Sequence, residues 1–134
     1  MTLWLGIPIL DDRIPYETML KDCVKNEGLK NIIIFTGGYV TNMPAVYNEL
    51  DVMVSTATGP EPLDTVVIES MALGQSLISP EHGGVTEMMS LDETGLLFTP
   101  KEANSLSNAI EVSYNSATLR TTLGQTARKH INNR

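Results

Sequence analysis

Short apolar runs alternate with helix-like periodicity along this chain, and that alternation constrains the fold more than any other feature. The run Leu3-Trp4-Leu5-Gly6-Ile7 reads as a strand. Tyr16, Met19, Leu20, Cys23 and Val24 then share one helical face that closes near Gly28, so Cys23 is expected as a buried, inert thiol. Ile32-Ile33-Ile34-Phe35 is the continuous β-branched and aromatic run of a strand covered on both faces, and Gly37-Gly38 ends it. A short helix is expected over residues 42–50, a strand over 51–55 and a loop over 56–62, with Gly59, Pro60 and Pro62 as breakers. Asp64 or Thr65 caps a helix running to Leu73, with Gly74 just past its end. That helix is apolar nearly all round and is expected to be buried. Residues 76–79 read as a strand, 80–84 as a loop, 85–89 as a brief helix and 95–98 as a last strand. Thr99-Pro100-Lys101-Glu102 has the form of a capping box, and the helix behind it sets Leu106, Ala109, Ile110 and Tyr114 on one stripe. A final helix carries Leu119, Leu123, Ala127 and Ile131 before a basic polar tail over 128–134. About five strands separated by helices imply an α/β protein with an open, mostly parallel, Rossmann-like sheet and helices on both faces.

The 134 residues amount to one ordinary domain, 1–134. A single cysteine excludes an internal disulfide framework and a Cys-x2-Cys zinc site. No apolar run reaches a bilayer span, so no transmembrane segment is expected. The apolar start lacks a basic flank and runs into Asp11-Asp12, unlike a secretory signal, so a cytoplasmic location is expected. The net charge of −7 disfavours nucleic acid as a partner. Between Asn31 and Pro100 there is no Lys or Arg, while nine residues are acidic. An anion bound there must be held by backbone N–H groups and helix ends, or by basic groups from elsewhere.

In such a sheet, ligands bind at the loops leaving the carboxyl ends of the strands, here 37–42, 56–64 and 80–84. Glu61 and Glu69 are separated by seven residues, the first in a strand-exit loop and the second inside an apolar helix. A carboxylate on a buried helix must be hydrogen-bonded or paired. Glu69, under two turns from the helix start, is placed to accept hydrogen bonds from a ribose diol beside a phosphate on the free N–H groups. Spacing alone equally allows Glu69 on a narrow solvated face and Glu61 as an ordinary loop glutamate. His82 lies in a site loop, and His130 is expected on the surface.

The run from Glu61 to Gly74, with Ser70-Met71-Ala72-Leu73-Gly74, resembles the carboxy-terminal half of the group 1 (family 4) glycosyltransferases. Gly83-Gly84-Val85-Thr86-Glu87 and Thr94-Gly95-Leu96-Leu97 continue the resemblance in order. Residues 31–51 fit as well, with Gly37-Gly38-Tyr39 before a short helix and Val46-Tyr47 leading into Asp51. The resemblance implies one half of a two-domain, retaining GT-B enzyme that takes a nucleotide-sugar donor such as a UDP- or GDP-sugar. It implies that Glu69 binds the donor ribose and that Glu61 is the catalytic-site carboxylate, near the donor sugar's hydroxyls or its reacting carbon. The backbone at Leu63, Asp64 and Thr65 would face the diphosphate, and Gly37, Gly38 and Tyr39 would border the base. Gly83 and Gly84 would let the chain turn close to the site. No metal cofactor is implied, in keeping with the absence of an Asp-x-Asp run.

The chain also departs from the family pattern. Leu63-Asp64 replaces the usual Phe-Gly, so a carboxylate stands where a phosphate would approach. The family's diphosphate-clamping Arg and Lys lie before the first strand, and its amino-terminal, acceptor-binding domain has no counterpart here. The resemblance thus implies a truncated piece, inactive alone, of an enzyme of polysaccharide biosynthesis with a glycan or lipid acceptor. Peripheral membrane attachment would fall to the missing part. Two alternatives belong to other classes. One is a non-catalytic interaction domain that has kept the fold. The other is a receiver-like signalling domain, against which Thr56 stands where the phosphoacceptor Asp is required and Lys101 follows rather than precedes Pro100.

Overall fold

The computed structural model describes residues 3–5, 14–37, 41–59 and 64–133. The chain divides into two compact units, Met1–Thr41 and Asn42–Arg134.

In the first unit, β1 (Leu3–Leu5) pairs in parallel with β2 (Ile33–Phe35), and α1 (Ile14–Asn26) makes the connection that parallel strands require. Leu3 lies opposite Ile33, Trp4 opposite Ile34 and Leu5 opposite Phe35. The helix closes as expected, with Gly28 left-handed at φ 69° and the Leu29 N–H donating to the Val24 carbonyl at 2.9 Å. Two expectations are corrected. Of the apolar stripe on α1 only Val24 is buried, while Tyr16, Met19 and Cys23 are exposed. The face turned inward is instead that of Glu17, Leu20 and Val24. Lys21 pairs with Glu17 within the helix at 2.7 Å, and its ammonium reaches across to β2, 5.7 Å from the Phe35 ring centre. Likewise β2 is not covered on both faces. Ile34 is half exposed because side chains alternate along a strand, and its flanking neighbours take the covered side.

In the second unit, β3 (Met53–Val54), β4 (Leu77–Pro80) and β5 (Leu96–Phe98) form a parallel sheet in that order. The connecting helices are α3 (Thr65–Leu73) and α4 (Val85–Met88); α2 (Met43–Glu49) precedes the sheet, and α5 (Ala103–Tyr114) and α6 (Ala117–Asn132) follow it. Met53 is in register with Leu77, and Ile78 with Leu96, so each pair faces one side. Leu77 joins Val67 and Met71 of α3, Val85 of α4, Met89 just after it and, from α6, Ala127 in one core, with Met53 and Leu97 packed against it. Ile78, Leu96 and Phe98 join Ala109 of α5 and Leu123 of α6 in a second core. The two cores cover opposite faces of the sheet, giving the expected α/β layering here. All four residues of β4 are buried, as a central parallel strand demands.

Several boundaries follow from identifiable local chemistry. Asn42 caps α2 by accepting from the Ala45 N–H at 3.3 Å, and Gly74 closes α3 in the left-handed conformation at φ 72°. Thr94 clasps the turn before β5, its Oγ1 accepting from the Ser90 N–H at 2.9 Å. The expected capping box does not form. Lys101 is left-handed at φ 62°, residues 99–102 close a turn, and α5 starts only at Ala103 without a side-chain cap. The α5 stripe also ends differently, with Ser113 buried and Tyr114 exposed. Helix α3 is buried along Val67, Ser70 and Met71 but not all round, since Ala72 and Leu73 are exposed. Helix α6 runs through most of the expected basic tail. No described helix is long and apolar enough to cross a membrane.

Candidate functional site

Glu69 projects from the second turn of α3, and its side chain is exposed. Asp64 at the cap and Gly74 at the close fix that helix in place, and this frame sets the glutamate beside α2. There the Tyr47 hydroxyl donates to Glu69 Oε2 at 3.0 Å. Tyr47 is only 1% exposed, so its ring is held by packing while its hydroxyl reaches the carboxylate. Burial, then the hydrogen bond donated to Glu69 and that carboxylate's charge, push the phenol up to about 12; a hydrogen bond with Ser70 works against this, and the Asp64 carboxylate adds to it. Tyr47 therefore keeps its proton across the ordinary pH range and donates it to Glu69. Beside the pair lies an open, mostly apolar pocket of about 270 Å³ lined by Met43, Pro44, Tyr47, Glu69, Ala72 and Leu73. An apolar wall with one oriented carboxylate suits a ligand that carries vicinal hydroxyls on a flat or hydrophobic body.

Asp64 is 6% exposed and acts as the cap of α3. Its Oδ1 accepts from the Val66 and Val67 N–H groups at 3.1 and 3.4 Å, and its Oδ2 accepts from the Ser55 hydroxyl at 3.1 Å. Two of the free N–H groups that a helix start offers an anion are thus taken by the chain's own carboxylate. Thr65, the first helical residue, is exposed. His82 ties two strand-exit loops together, its Nε2 lying 3.0 Å from the Ala57 carbonyl oxygen. Gly83 is left-handed at φ 59°, and the turn is closed by the Thr86 hydroxyl donating to the Gly83 carbonyl at 2.9 Å. Gly84 has ordinary right-handed geometry as the residue before α4, so its conformation does not require glycine.

The second unit therefore brings Asp64, Thr65 and Glu69 onto one helix, with Ser55 bonded to the cap and Tyr47 to the glutamate. Gly37 is left-handed at φ 56° at the exit of β2, in the first unit. Glu61, Leu63, Gly38 and Tyr39 lie outside the described residues. Sequence reasoning missed Tyr47 and Ser55 as site members. Tyr47 carried a signal, being a phenol in the middle of a seven-residue helix whose other residues up to that point, Met43 to Val46, are apolar. Ser55 carried none, because its partner is fixed only when the β3 exit meets the α3 start.

A family model described as glycosyl transferases group 1 matches residues 9–130. YtcC of Bacillus subtilis (strain 168), which carries a glycosyltransferase name, is 31% identical over 91 residues, covering 67% of this chain and 22% of that protein. The chain is similar to Anabaena Alr3699/HepE, solved in complex with UDP, at a TM-score of 0.95 and 26% identity over 100% of this chain and 36% of that one. It is also similar to sucrose-phosphate synthase from Thermosynechococcus elongatus, at a TM-score of 0.87 and 29% identity over 98% of this chain and 34% of that one. The chain thus spans about a fifth of the curated relative and about a third of these solved structures.

Proposed function

The chain belongs to the group 1 glycosyl transferases, and on that premise we propose that it is the donor-binding part of a retaining GT-B enzyme. The donor is a nucleotide-diphosphate sugar, with UDP favoured over GDP because HepE was solved with UDP. Glu69 accepts from the ribose hydroxyls, and the observation that carries the reading is this carboxylate, oriented by Tyr47 at the rim of an apolar pocket. Glu61 lies near the reacting carbon, the backbone at Leu63 and Thr65 meets the diphosphate, and the turn at Gly83 and Gly84 borders the same ligand.

The glycosidic oxygen leaves on the nucleotide diphosphate, and the developing charge is met by oriented donors without a dedicated metal. Asp64 holds two N–H groups of α3, so the phosphates meet the exposed Thr65 end of the helix. The sequence 31–100 contains no Lys or Arg, so the compensating cations come from elsewhere in the full protein. A second, amino-terminal domain supplies the acceptor site for a glycan or lipid, and the present chain alone does not turn over. Its setting is polysaccharide biosynthesis on the cytoplasmic side.

Calorimetric titration with UDP, GDP and ADP tests the reading. Binding of one nucleotide by the wild-type chain, lost in Glu69→Ala, is the expected result. The capped helix start favours a second reading, a non-catalytic interaction domain. Absence of binding both in the wild type and in Asp64→Gly, which frees the N–H groups, would favour it.

A further inference from the structure

We propose that Tyr47 is a positioning residue for the donor-binding carboxylate, presetting Glu69 for a ribose diol. This rests on the reading of Glu69 given above and extends it to a residue on a different helix. An exposed glutamate has three rotatable bonds and samples several rotamers, so an unassisted Glu69 would have to be ordered by its ligand. Here the ordering is already done. The Tyr47 ring is 1% exposed, and its hydroxyl meets Glu69 Oε2 at 3.0 Å, in reach of a charge-assisted bond.

The bond consumes only part of the carboxylate. An ionised glutamate offers about four acceptor positions, and one phenol fills one of them. What is left on Oε1 and Oε2 suffices for two hydroxyl donors side by side. Tyr47 can only donate to this partner, as burial and the neighbouring carboxylate keep its proton in place. The pocket lining supplies the rest of the arrangement. Met43 and Pro44 come from the start of the helix that carries Tyr47, and Ala72 and Leu73 from one turn beyond Glu69, so the helices that hold the pair also wall the cavity. A shift of α2 against α3 would move the carboxylate and the wall together.

The competing role is that Glu69 merely satisfies a buried phenol. The two roles differ in what the bound sugar feels. The experiment is calorimetric titration of wild type, Tyr47→Phe and Glu69→Ala with UDP, GDP and ADP, each compared with its dideoxyribose analogue lacking both ribose hydroxyls. For the nucleotide that binds, Tyr47→Phe is expected to weaken affinity about 5-fold, the effect of one hydrogen bond, and to leave the dideoxyribose analogue within about 2-fold of wild type. Equal weakening of both, or no weakening while Glu69→Ala still abolishes binding, overturns the positioning role and leaves the donor-binding reading intact. Failure of the wild-type chain to bind any of them overturns that reading and the inference with it. The Glu69 side-chain rotamer distribution in the unliganded wild type, from NMR scalar couplings, gives a check independent of how Tyr47→Phe folds. One dominant rotamer is expected, and averaging over several overturns the proposal.

Discussion

At the scale of single residues, the Tyr47–Glu69 bond joins stability to pH as well as to binding. The phenol's ordinary value is 10.0, and in the fold it rises to about 12. Between those values the unfolded chain has released the proton and the native chain has kept it. Stability from this group is therefore complete below pH 10 and declines as pH rises towards 12. Urea unfolding of wild type and Tyr47→Phe from pH 9 to 12 is expected to show a steeper alkaline loss of stability in the wild type than in the variant. Parallel curves would mean that Tyr47 does not carry the effect. Spacing to Glu61 and a place on an apolar helix marked Glu69 as a candidate, and the family resemblance, not the spacing, supplied its expected role. Its partner was not legible, because a hydrogen bond between residues 22 positions apart depends on how two helices meet.

At the scale of elements, the second unit is organised by α3. Its amino end is closed by Asp64 and its carboxyl end by Gly74, and α6 crosses it closely. At the crossing Gly124 lies against Gly74. A methyl group added to Gly124 would run into the Gly74 carbonyl oxygen and stand 2.9 Å from its carbonyl carbon, both backbone atoms that cannot swing aside. Gly124→Ala is accordingly expected to cost about 2 kcal/mol or more. Gly74→Ala has ordinary clearance of 3.6 Å and meets mainly the left-handed φ of 72°, worth about 1 kcal/mol. Thermal denaturation of the two variants should place Gly124→Ala below Gly74→Ala, and the reverse order would show that the helices can slide apart. The sequence supplied Gly74 for the close of α3 and narrowed its start to Asp64 or Thr65, and the structure places Asp64 at the cap. The sequence misjudged residues 99–102, where a Thr-Pro-x-Glu run satisfied the capping pattern but Lys101 adopted a conformation that interrupts a helix.

At the scale of the whole molecule, the chain spans about a third of the solved structures it resembles, and the proposed ligand is a nucleotide. Ligand linkage gives that proposal a measurable signature. A nucleotide that binds only the folded chain stabilises it by about 2.7 kcal/mol at a hundredfold excess over Kd. A rise in Tm with UDP in wild type and none in Glu69→Ala is expected, and an equal rise in both would place the nucleotide away from Glu69. The sequence by itself determined the order of strands and helices, the parallel α/β class, the close of α3 at Gly74 and the candidate glutamate, because periodicity, capping and turn chemistry act within a few residues. Only the tertiary structure decided that α1 turns its Glu17–Val24 side inward, that Cys23 is exposed, that Asp64 fills the start of α3 with Ser55 behind it, and that Tyr47 holds Glu69. Those outcomes depend on which surfaces meet. Burial and pairing across elements are set by packing geometry, to which residue spacing along the chain is blind.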